Sequence, residues 1–113
     1  MTEFVEVKTS DLVGAALDWA VAKAEISPTE MPTKDMWSKY CAPYSPSADW
    51  KYGGPLIDKF RVSIIYSDEV CEPCAWTDSS AAWHAPTPLI AACRAIVASV
   101  LGETVSVPKE LLS

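Results

Sequence analysis

Leu12, Val13, Ala16, Leu17, Ala20, Val21 and Ala24 recur at alternating steps of one and three residues, which places them on one face of a helix. Thr9 and Ser10 stand where an N-cap belongs. Asp11 falls in the first turn, where negative charge complements the helix dipole. Trp19 lies off this stripe, about 110° from its centre, and Asp18 lies further round. Trp19 is therefore predicted as a flank residue, covered by a loop or offered to a partner. The helix ends before Pro28, because the residue preceding a proline avoids the α region. A second helix opens with Thr87 as N-cap and Pro88 at the first helical position, and it stops at Gly102. Its wide apolar face carries Leu89, Ile90, Cys93, Ile96, Val97, Val100 and Leu101. The opposite face (Ala91, Ala92, Ala95, Ala98 and Ser99) is small and uncharged, which predicts close approach of another element or another subunit. Arg94 is the one charge in the body of this helix.

Strand patterns fall around these helices. Phe4-Val5-Glu6-Val7 alternates, and Phe60, Val62, Ile64 and Tyr66 alternate with Arg61, Ser63 and Ile65, the pattern of a half-buried strand. Ala75-Trp76-Thr77 and Ala82-Trp83-His84 flank a short Asp78-Ser79-Ser80 turn and predict a hairpin. Thr104 to Val107 reads as a short extended piece and Pro108 to Leu112 as a terminal turn of helix. Pro28, Pro32, Pro43, Pro46 and Pro55 punctuate a middle stretch without a clear period, read as irregular; Trp37 lies inside it. No internal repeat or low-complexity linker interrupts the chain. The sum predicts an α+β fold in a single domain over residues 1–113, with two main helices packed on a small, mainly antiparallel β-sheet. A chain of this size buries roughly two-thirds of its unfolded surface.

Composition narrows the function. Half the residues are apolar and 21% are charged, which excludes disorder. No apolar run approaches the roughly 20 residues of a membrane span, and the acidic, alternating start is unlike a signal peptide. A net charge of −6 argues against direct DNA or RNA binding, which needs a basic footprint. It leaves room for an anionic small ligand, for which a few local cations suffice, and for an acidic protein inhibitor. Five tryptophans exceed what so small a core is expected to hold, so some are expected at a recognition surface. Trp19 and Trp50 are the two expected to face a ligand or partner.

Two segments look like sites. Tyr44-Ser45-Pro46-Ser47-Ala48-Asp49-Trp50, followed by Gly53-Gly54-Pro55, gathers two aromatics, two hydroxyls and a carboxylate, with a Gly-Gly pair that lets backbone approach a ligand. The same residues also fit a structural loop, with Ser47 or Asp49 capping a turn and Trp50 plugging the core. His84-Ala85-Pro86-Thr87-Pro88 leads into a helix N-terminus that can hold phosphate or carboxylate, with Arg94 about two turns further in; plain helix capping is the alternative. Cys71-Glu-Pro-Cys74 has the spacing of a redox or zinc knuckle, and Cys41, Cys71, Cys74 and His84 make a four-ligand set on paper. Without an export signal the thiols are expected reduced, and a turn at Glu72-Pro73 explains the spacing, so no metal and no cofactor are predicted. One histidine, with no nucleophile-elbow, zinc-protease, phosphate-loop or dinucleotide pattern, gives catalysis no footing.

Three blocks in order, over nearly the whole chain, resemble a known family. Lys8-Thr9-Ser10-Asp11-Leu12 with Ala16-Leu17-Asp18-Trp19-Ala20-Val21-Ala22-Lys23 resembles the opening of the NinX-like family of small phage proteins. Tyr44 to Trp50 with Gly53-Gly54-Pro55-Leu56-Ile57 resembles its central signature, and Pro86 to Ala95 with Gly102 its C-terminal one. Ala85 stands where the family has glycine, and the Cys-x-x-Cys is outside its pattern. The resemblance implies a phage origin and a place in the host cytoplasm, and it supplies no activity. By analogy with accessory phage proteins that counter host defence, the expectation is a non-enzymatic binder that sequesters a small phosphorylated or nucleotide-like signal. Trp50, Tyr44, Trp19 or Trp83 would stack a base. Thr87, backbone groups at the helix start, and Arg94 or Lys23 would hold phosphate. Ser45 and Ser47 would add hydroxyls, Gly53 and Gly54 close approach, and Asp49 a contact to ribose or an amino group. A homo-oligomer is expected from the alanine face. The alternative is an inhibitor that binds a host protein through an exposed aromatic and acidic surface.

Overall fold

The two ends of the chain pair with each other. In the computed structural model, which describes residues 3–26, 45–66 and 72–112, β1 (Phe4–Lys8) runs antiparallel to β5 (Thr104–Pro108), with Val5 opposite Val107 and Val7 opposite Val105. After β1 comes a single 3₁₀ turn, Thr9–Asp11. Thr9 is fully buried there: its hydroxyl donates to the Gly102 carbonyl at 2.8 Å and its N–H to the Glu103 carbonyl at 2.8 Å. Thr9 thus ties the start of the chain to the turn before β5 and is not the N-cap of the first helix. That helix, α1 (Gly14–Ile26), begins later than the apolar stripe suggests, and Val13 is exposed. Gly14 has φ +57°, a left-handed conformation that glycine adopts without penalty where the chain turns into the helix.

α1 is covered on more than one face. From Ala16 to Ala22 every residue is buried, including Trp19 at 3% exposure and Asp18 at 7%. Trp19 is therefore a core residue and not a surface flank. Phe4 of β1 lies against it, with ring centroids 6.2 Å apart, so the terminal sheet closes the side that the stripe alone leaves open.

The middle of the chain, read as irregular, contains another helix: α2 (Trp50–Lys59). Its Asp49 N-cap accepts from the Lys51 N–H at 2.9 Å, satisfying a donor that the helix cannot. Gly53, Gly54 and Pro55 all lower helix propensity. Burial of Gly53 and Leu56 supplies the tertiary support that overrides it. The helix closes with Val62 N–H on the Ile57 carbonyl and Arg61 N–H on the Asp58 carbonyl, with Arg61 at φ +54°, so the predicted strand starts three residues late. What remains is β2 (Ser63–Tyr66), which pairs antiparallel with β3 (Pro73–Trp76); β3 pairs antiparallel with β4 (Trp83–His84) in the predicted hairpin. Cys74 sits within β3, not in a turn, and is a buried free thiol.

α3 (Pro88–Leu101) begins as predicted, with Thr87 accepting from the Ile90 N–H, and Gly102 ends it at φ +95°. It lies between two cores. On one side Cys93, Ile96 and Val97 join Leu12, Leu17, Trp19, Val21, Val105 and Val107 from α1 and β5. On the other, Ala91, Ala92 and Ala95 meet Ala75 and Ala85, flanked by Ile64 and Trp83. Ala91, Ala92 and Ala95 of the small face are thus covered by the chain's own β2–β3–β4 sheet, while Ala98 and Ser99 are half-buried. The fold is α+β, and among the described residues it has three α-helices and two antiparallel sheets in place of one. Tyr44, Trp37, Cys41 and Cys71 lie outside the described residues.

Candidate functional site

The segments singled out by the sequence meet through three buried connections. The first joins α1 to the turn before α2: the Ser47 N–H donates to Asp18 Oδ1 at 2.9 Å, and the Ser47 hydroxyl adds a second hydrogen bond to the same carboxylate. Burial pushes the Asp18 carboxyl above its ordinary range, and the two bonds from Ser47 pull it back only in part. The second joins α2 to α3. A Cβ on Gly53 would stand 2.5 Å from the Pro46 carbonyl oxygen and 2.6 Å from Leu89 Cδ2. The absent side chain of Gly53 is therefore what lets the first turns of the two helices touch. The third joins α3 back to the start of α1: Arg94 Nε donates to the Leu12 carbonyl and Nη1 to the His84 carbonyl, each at 3.1 Å. Burial lowers the Arg94 pKa, opposed by the charges of Asp11 and Glu72.

These connections reassign several candidates. Arg94 is buried, with its guanidinium held on two backbone carbonyls. The Thr87 hydroxyl and the Asp49 carboxylate serve as helix caps. Ser47 is buried on Asp18, and the close approach of Gly53 is to protein, not to open space. Lys23, also half-buried on α1, holds its ammonium 5.7 Å from the centre of the Trp19 ring. Trp83 is half-buried in β4 facing the alanine cluster, and its buried indole Nε1 has no hydrogen-bond partner among the described residues.

Three candidates are exposed, Asp49, Trp50 and Thr87. Trp50, the first residue of α2, is 56% exposed and does not plug the core. Gly54 has open space where a side chain would be. Lys51 beside them is exposed, with Nζ 5.6 Å from the Tyr52 ring. Ser45 is half-buried, and its carbonyl accepts from the Ala48 and Asp49 N–H groups, making the turn that leads into α2.

Asp18 is the residue that sequence reasoning missed. The signal was present: Ala15 to Ala22 is apolar except for Asp18. A helix apolar on all sides is buried, and a buried carboxylate requires a donor. A cleft of about 340 Å³ lies elsewhere, between Leu12 to Ala16 at the start of α1 and Leu111 and Leu112, and holds none of the candidates. Among the described residues no cluster of three or more histidine, cysteine, aspartate or glutamate side chains is arranged to hold a metal ion. Burial pushes the Cys93 thiol well above its usual range, and the Asp18 charge adds to the effect.

The family model described as Bacteriophage P22, NinX matches residues 8–100. No curated protein matches the sequence.

Proposed function

The chain belongs to the bacteriophage P22 NinX family, and from that premise we propose that it acts by binding, without chemistry of its own, and that it takes a small phosphorylated, nucleotide-like ligand. The observation that carries this reading is the exposed Trp50 indole at the head of α2, seated beside the head of α3 by the Gly53–Leu89 contact. An exposed indole offers a base a stacking surface worth about 1–3 kcal/mol. Two adjoining helix N-termini supply positive dipole ends for phosphate. With Arg94 committed to backbone carbonyls, backbone N–H groups and Lys51 take over the anion contacts assigned to it. Sequestration of a host defence signal in the host cytoplasm is the role this binding would serve. No described helix is long and apolar enough to cross a membrane.

The experiment is a panel of linear and cyclic mono- and dinucleotides, read by thermal shift and tryptophan fluorescence. At least one is expected to raise Tm. Trp50→Ala should abolish that response while changing stability by no more than about 0.5 kcal/mol, because the side chain is exposed. Turnover of the nucleotide would overturn the non-enzymatic assignment. A second reading, direct inhibition of a host protein, draws on Ile65, Tyr66 and Trp76, which β2 and β3 leave exposed. A panel without any thermal response, together with a host protein retained stoichiometrically by the purified chain, would replace the first reading with the second.

A further inference from the structure

We propose that Asp18 is the positioning residue of the Trp50 platform, holding the head of α2 in place through Ser47. This rests on the assignment of Trp50 to the binding site. Asp18 and Ser47 are 29 positions apart in sequence and both buried, and their contact joins α1 to the turn that precedes α2. That turn is internally stiff. The Ser45 carbonyl accepts from Ala48 and Asp49, and the Asp49 carbonyl accepts from Tyr52 and Gly53, so a displacement at Ser47 is carried into the first turn of α2. The neighbouring residue, Pro46, presses its carbonyl on the bare Cα of Gly53. The Pro46-Ser47 pair therefore works as a wedge, fixed to α1 on one side and to α2 on the other. Trp50 lies one turn before Gly53's contact with Leu89, at the end of α2 that the wedge controls.

The choice of a carboxylate supports a positioning role. Among the described residues the donors to the Asp18 carboxylate come from one residue, the Ser47 N–H and hydroxyl. Among the described residues neither ion pair involves it. An apolar side chain would fill the same space without desolvating a charge, and would leave the Ser47 N–H without its acceptor. The carboxylate is thus matched to the geometry of the turn and not to the packing of α1. Because Trp50 itself is exposed, its orientation depends on where the head of α2 is held.

The test labels the protein with 5-fluorotryptophan and follows the Trp50 resonance by ¹⁹F NMR, assigned with Trp50→Phe, in ligand-free protein. Asp18→Ala is expected to move or broaden the Trp50 signal. Asp18→Asn keeps an acceptor for the Ser47 N–H and is expected to restore the wild-type position. If Asp18→Ala does not fold, Ser47→Pro, which deletes the N–H donor from the turn, is expected to move the same signal. A Trp50 resonance unchanged in the folded variant that lacks the Asp18–Ser47 bond would overturn the proposal. So would an Asp18→Asn protein displaced as far as Asp18→Ala. Because no nucleotide is present, this result stands apart from the nucleotide panel, and failure of one is distinguishable from failure of the other.

Discussion

A carboxylate inside an otherwise apolar helix changes how stability depends on pH. Burial is the largest influence on Asp18 and raises its pKa above the ordinary value of 3.8. The fold therefore favours the protonated form. The stability contributed by that preference is fully present below the unfolded-state pKa and is lost as pH rises through the higher folded-state pKa. Asp18→Asn removes the titration while keeping an oxygen for the Ser47 N–H. Its Tm is expected to exceed that of the wild type increasingly as pH rises above the ordinary carboxylate range and through the raised pKa of Asp18. Equal slopes of Tm against pH in the two proteins would overturn this account. At the same scale, Trp19 and Trp50 exchange the environments their sequence positions imply in one case and keep them in the other. Trp19 is buried because Phe4 covers it, a contact that a helical wheel cannot contain. Trp50 is exposed because Asp49 caps a helix there and directs the indole outward from its first residue.

At the level of the element, α2 shows how one pattern serves two ends. Gly53-Gly54-Pro55 reads as a flexible loop that lets backbone approach a ligand, and it is helix. The two glycines separate cleanly. A methyl group at position 53 meets the Pro46 carbonyl and Leu89, so Gly53→Ala is expected to destabilise the protein by about 1–3 kcal/mol. At position 54 the space is open, and Gly54→Ala is expected to stabilise by about 0.5–1 kcal/mol through helix propensity. Urea denaturation of both variants checks the pair; equal effects of the same sign would count against the close packing of α2 on α3. α3 was more legible than α2. Its Thr-Pro start, its continuous apolar face and its glycine stop are local signals, and Thr87, Pro88 and Gly102 occupy the positions they indicate.

The whole molecule is organised around α3, which fills one core with large side chains and the other with alanines. That arrangement decides the meaning of the alanine face. If the face is packed within one chain, enlarging it overpacks the interior. Ala92→Leu is expected to lower stability by about 1–3 kcal/mol, by the same amount at every protein concentration. A loss that depends on concentration would return the face to a subunit interface. The pairing of β1 with β5 is also a property of this scale. It brings the two ends of the chain together and lays Val105 and Val107 against α1.

The sequence by itself determined the α+β class, the limits of α3, the β3–β4 hairpin and the family, because each depends on local periodicity, capping chemistry or residue identity. Tertiary structure alone decided which polar groups are free. Thr87 and Asp49 cap helices through partners within three residues, but Arg94 and Ser47 look free as ligand-binding candidates in a linear chain. Each becomes committed once folding brings a specific donor or acceptor within reach: carbonyls 10 and 82 positions away for Arg94, and a carboxylate 29 positions away for Ser47. A buried polar group takes whichever partner the fold supplies, and that partner is a consequence of long-range packing.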